Sequence, residues 1–99
     1  MSDRELLELA AKAAGIEVTA IVADGIPHRF GDGYWNPLEH DGDALRLAVK
    51  LKMTVDVSDH IIEVVTPIHW YRESCADDPY AATRLAIVRA TAEIGRGMA

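Results

Sequence analysis

The run that opens at Asp78-Pro79 and continues to Ile94 restricts the fold more than any other part of the chain. Aspartate is a favoured N-cap and proline a favoured first helical residue, so a helix is expected to start here. From Tyr80 to Ile94 the chain is rich in alanine and contains neither glycine nor proline. Ala81, Leu85, Val88 and Ala92 recur on one stripe, with Ala82, Ile87, Ala90 and Ile94 beside it. The small alanines of this helix admit close packing on a sheet or on another copy of the chain. Gly95 and Gly97 are expected to end the helix.

The rest of the chain supplies candidates for that packing. Ser2-Asp3-Arg4-Glu5 is a capping box, and Leu6, Leu9, Ala10 and Ala13 follow with helical spacing. Gly15 sits where a left-handed C-cap suits glycine, which places a helix over 3–14. Residues 16–22 are rich in β-branched side chains and read as a strand. Asp24-Gly25 signals a turn, and residues 26–30 read as a return strand, short or at an edge because Pro27 cannot donate to a ladder. Gly31-Asp32-Gly33 is a second turn. In Tyr34–Glu39, Asn36 is a candidate N-cap before Pro37, so one short helical turn is expected.

His40-Asp41-Gly42-Asp43 separates that turn from a further helix. Its stripe is Ala44, Leu47, Ala48 and Leu51, widened by Leu45 and Val49, with Arg46 and Lys50 on a second face. Residues 53–57 alternate as a strand, and 60–66 form a strong one. Pro67 interrupts it, with Ile68–Arg72 read as the same edge continued past a bulge and Glu73–Asp77 as a loop. The expected order is α-β-β-α-β-β-α: an α+β protein, one domain over 1–99, with a small antiparallel sheet packed against helices.

Ten basic and sixteen acidic residues give a net charge of -6. That argues against duplex DNA as a partner, because phosphate neutralisation supplies most of that affinity. Acids dominate residues 24–43 and 53–78, whereas Arg46, Lys50 and Lys52 stand without acids in 44–52. Arg84, Arg89 and Arg96 face only Glu93 in the last segment. These basic residues read either as solvated helix faces or as a local anion pocket. No apolar run approaches the ~20 residues of a membrane span. Cys75 is the single cysteine, which excludes a disulfide framework. The charged start at Ser2–Glu5 reads as no secretory leader.

Little of the chemistry is motif-like. His60, His69, Cys75, Asp77 and Asp78 lack the paired spacing of a zinc site, so no metal and no cofactor are expected. Glu73, Asp77 and Asp78 around Cys75 disfavour a thiolate, and Asp41 and Asp43 around Gly42 read as a turn with helix caps. No catalytic residue is assigned. The candidate ligand-binding residues are Tyr34, Trp35, Asn36, Arg46, Arg84 and Arg89. An aromatic face beside free N–H groups at a helix start can hold a base, and arginines can hold a phosphate. The competing reading makes Trp35 a core anchor and Asn36 only a cap. Trp70 and Tyr71 carry the same ambiguity.

The stretch Trp35–Leu51 resembles a recurrent block in small accessory proteins of tailed phages and prophages. The tail Asp78–Ala90 with Glu93–Arg96 is similar to their last helix, and Glu5–Gly15 is similar to their opening. The Trp35-Asn36-Pro37 element also resembles, more distantly, the NinX-like phage proteins. The resemblance spans over half the chain and implies a phage-encoded protein in a host bacterial cytoplasm, with no catalytic residue to carry over. Small phage proteins of this kind often counter host defences, an expectation at the level of class. Two non-enzymatic functions follow as expectations. One is an anti-defence sponge that sequesters a small nucleotide signal, as a homo-oligomer. The other is an acidic inhibitor of a host defence protein or nucleic-acid-binding protein.

Overall fold

The computed structural model describes residues 2–16, 18–21, 27–29, 33–75 and 77–98, with backbone pairing alone for 18–21, 27–29 and 33–34. The element order is α1 (Asp3–Ala14), β1 (Val18–Ile21), β2 (Pro27–Arg29), β3 (Gly33–Tyr34), α2 (Asp41–Lys50), β4 (Thr54–Val57), β5 (Ile61–Val65), β6 (Trp70–Ser74) and α3 (Pro79–Arg96). The class is α+β, with two three-stranded antiparallel sheets, β1-β2-β3 and β4-β5-β6.

α1 forms where its capping box and glycine predict. The Ser2 hydroxyl accepts from the Glu5 N–H at 3.2 Å. At the other end Gly15 adopts φ 68°, and the Gly15 and Ile16 N–H groups bond the carbonyls of Lys12 and Ala11. α3 starts at its expected cap, the Asp78 carboxylate accepting from the N–H groups of Tyr80 and Ala81.

Four expectations are corrected. The order contains two more strands than expected. Tyr34 pairs with His28 in β3, extending the first hairpin. The chain after Thr66 does not continue past a bulge. The Thr66 hydroxyl accepts from the N–H groups of Ile68 and His69, and the Thr66 N–H bonds the His69 carbonyl. This closes a tight reversal around Pro67, and Trp70–Ser74 returns beside β5, taking in Glu73 and Ser74, which read as loop. α2 starts at Asp41, not Ala44. Finally, Gly95 does not stop α3: it is buried within it. The Asp24-Gly25 turn and the Gly31-Asp32 part of the second turn lie outside the described residues.

The core joins α1, α3 and the inner face of β4-β5-β6. Leu6, Leu7, Ala10 and Ala11 of α1 pack with Ala86, Val88, Ala90 and Ala92 of α3, and Ile62 and Val64 of β5 close the other side. α3 packs on α1, α2, β5 and β6. The two apolar stripes read from the sequence are thereby covered by helices on one side and sheet on the other. At the α1–α3 crossing, a β carbon on Gly95 would lie 2.0 Å from the Leu9 carbonyl oxygen. Only a glycine permits this approach.

Candidate functional site

The residues expected to hold a ligand do not line one pocket: Asn36 and Arg46 share the Asp43 carboxylate, while Arg84 and Arg89 border different clefts. Trp35 is 1% exposed and belongs to the core, so its ring offers no stacking face at the surface. Asn36 is also buried. Its side-chain oxygen accepts from the Leu38 N–H at 3.1 Å, and the Glu39 and His40 N–H groups bond its backbone carbonyl. It is thus the cap of the short turn, as the competing reading had it. Tyr34 is placed by backbone alone, opposite His28 in β3.

The arginines are spent on carboxylates. Arg46 donates to Asp43 at 3.1 Å, within α2's first turns. Arg84 donates to Asp41 at 2.6 Å and to the Leu38 carbonyl at 2.9 Å. Arg89 pairs with Glu73 across to β6, and Arg96 pairs with Glu93 within α3. Arg84 borders one cleft, and Arg89 a separate and smaller one with Leu6, Tyr71, Glu93 and Arg96. Trp35 is thus buried, and Arg84 and Arg89 lie at different clefts.

The structure assembles a different site, a groove of about 570 Å³ between α2, α3 and β4. α3 supplies the floor through Tyr80, Thr83 and Ile87; Ala44, Leu45 and Ala48 of α2 form one wall, and Val55 and Val57 of the edge strand β4 form the other. This volume is in the range of ligand-binding clefts. The lining is almost wholly apolar, and the side chains of Thr83, Arg84 and Asp41 are engaged with partners within the fold. The Thr83 hydroxyl donates to the Pro79 carbonyl at 2.7 Å, and Arg84 with Asp41 closes one edge.

The groove is open to solvent. Leu45 is 62% exposed, Val57 55% and Tyr80 70%, and Val49 lies one turn beyond Leu45 on the same helix, 70% exposed. These four are half of the large hydrophobic residues that the described chain leaves exposed, gathered on one face. Such clustering marks an interaction surface, whereas scattered apolar residues do not. Leu45 and Val49 read from the sequence as a widening of α2's apolar stripe; the structure instead leaves both exposed, because the helix packs into the core through Ala44, Leu47 and Ala48. Val57 and Tyr80 carried no signal, because only the packing of β4 and α2 on opposite sides of α3 makes them neighbours.

The two ends of the groove differ in charge. α2 and α3 run in the same sense. Arg84 ties the start of α2 to α3, while Lys50 reaches the end of α1 at Gly15, beside α3's last residues. The Cys75 N–H bonds the His60 carbonyl, and its thiol lies 3.4 Å from the Ser58 carbonyl, which draws the β4–β5 turn against the segment preceding α3. Exposed Asp59, Asp77 and Asp78 therefore gather at the end where α2 and α3 begin, beside the Arg46–Asp43 and Arg84–Asp41 pairs, and exposed Lys50 and Lys52 follow at the C-terminal end of α2.

Among the described residues, no group of three or more His, Cys, Asp or Glu is placed to hold a metal ion, and no helix is long and apolar enough to cross a membrane. Comparison with family models, with curated proteins and with solved structures gave no match.

Proposed function

We propose that this chain is a non-enzymatic protein-binding module whose docking face is the α2–α3–β4 groove. Its occupant is an amphipathic helix that presents an apolar ridge with basic residues towards one end. The single observation that carries this reading is the clustering of exposed Leu45, Val57 and Tyr80 around a cleft with an almost wholly apolar lining. Apolar lining provides affinity, and the acidic end steers and orients a basic partner. In the setting implied by the resemblance to phage accessory proteins, the target is a host protein in the bacterial cytoplasm. The acidic-inhibitor reading is thus favoured over the nucleotide sponge, whose arginines are engaged elsewhere.

The test is an NMR titration with two probes at protein dilutions that keep the chain monomeric. A synthetic amphipathic helix of leucine and lysine is expected to shift the methyl signals of Leu45, Val55, Val57 and Ile87. A mixture of ribonucleotides is expected to shift none. Nucleotide-induced shifts around Trp35, Arg46 and Arg84, with the peptide silent, would restore the sponge and remove the docking reading.

A further inference from the structure

We infer that in the free protein this groove is filled by α2 of a second copy, in a two-fold symmetric dimer that must open before any other helix can dock. The inference rests on the groove being a docking face, as proposed above, and adds its regulation. The helix that the groove calls for is already present in the chain. α2 exposes an apolar ridge, Leu45 and Val49, spaced i, i+4 on one face. Lys50 and Lys52 follow at its C-terminal end.

The ridge borders the groove, since Leu45 is part of the wall. A two-fold axis beside Leu45 lets the ridge of each copy enter the groove of the other. The same residues then serve both partners, as an isologous interface requires. With the axis perpendicular to α2, the two α2 helices run antiparallel. The lysine end of one copy meets the Asp59 and Asp77 end of the other, and the contact is made twice. A face with acid at one end and base at the other is complementary to itself in this arrangement alone; a parallel arrangement sets like charges together. A chain of 99 residues also has a small core of its own, so burying this face adds to its stability.

The experiment is sedimentation velocity from low micromolar to several hundred micromolar protein, on the wild type and three variants. Leu45 is solvent-exposed, so Leu45→Glu should leave the helical content seen by circular dichroism intact while abolishing the dimer. Lys50→Glu/Lys52→Glu and Asp59→Lys/Asp77→Lys should each weaken self-association by on the order of tenfold or more. Mixed together, these two charge-reversed chains should form a heterodimer at wild-type strength, because both end contacts become attractive again. A wild type that stays monomeric throughout overturns the inference, as does a dimer unaffected by Leu45→Glu or a mixture that fails to recover. Helix binding by a monomeric wild type would remove the dimer and leave the docking reading standing. A dimer of the expected kind whose groove takes no helix after dilution would do the reverse.

Discussion

Asp43 of α2 accepts the backbone N–H of Asn36 on one carboxylate oxygen, at 3.0 Å, and the Arg46 guanidinium on the other, at 3.1 Å. Both Asp43 and Asn36 are buried. The carboxylate lies in the first turn of α2, where the helix dipole favours a negative charge. It therefore joins the Trp35–Leu38 turn to the helix that forms one wall of the groove.

Removing that carboxylate leaves a buried N–H without its acceptor. Asp43→Ala is expected to cost about 2 kcal/mol. Asp43→Asn keeps one acceptor oxygen and should cost less. Urea unfolding monitored by circular dichroism measures both, and equal losses would show that the Asn36 contact contributes little.

The α1–α3 crossing is expected to be intolerant of any side chain. Gly95→Ala places a β carbon against the Leu9 backbone, which cannot swing aside as a side chain could. A loss of about 3 kcal/mol or more is expected, with Tm falling by more than about 10 °C. By contrast Gly97→Ala, where the nearest atom stands at 3.6 Å, should be nearly neutral. Similar melting curves for the two variants would contradict the crossing as described.

α1 and α2 end in the same hydrogen-bond pattern with different residues. After α2, the N–H groups of Lys52 and Met53 bond the carbonyls of Val49 and Ala48, and Lys52 holds φ 56°. That is the position Gly15 fills after α1, and a side chain there is strained. Lys52→Gly should stabilise the protein by about 1 kcal/mol in dilute solution, raising Tm by about 4–8 °C. An unchanged or lowered Tm would mean that the strain is offset elsewhere.

The two tryptophans should behave in opposite ways. Trp35 is enclosed in the core, whereas Trp70 is 61% exposed. The Trp70 indole donates to Glu63 at 2.8 Å, and Arg72 lies 5.0 Å from its ring centroid. Trp35→Ala should cost about 3–5 kcal/mol, and Trp70→Ala about 1 kcal/mol. In Trp70→Phe the remaining emission should be blue-shifted and resist acrylamide quenching. Ready quenching of Trp35 would return it to the surface and to a ligand-binding role.

Much of the fold was legible because its signals are local. The caps at Ser2, Gly15 and Asp78 act within one turn of chain, and helical spacing is read over a few residues, so α1 and α3 lie where expected. The short turn capped by Asn36 was readable for the same reason. What the sequence left open depends on distant partners. Thr66 bonding back to Ile68 and His69 decides between a bulge and a reversal around Pro67. The Leu9 carbonyl decides whether Gly95 ends a helix or admits a neighbour.

The site shows the same division more sharply. Residue type alone left Trp35 either a stacking face or a core anchor, and packing made it the latter. Arg46, Arg84 and Arg89 read alike as cations. Their roles are set by Asp43, Asp41 and Glu73, the last two from different elements. The sequence by itself determined the class, the caps at Ser2, Gly15 and Asp78 and the apolar spacing of the helices, because these follow from local bonding and periodicity. Only the tertiary structure decided that Leu45, Val57 and Tyr80 share one groove with charged ends, because proximity between elements comes from how helices and sheet pack, not from the order of residues along the chain.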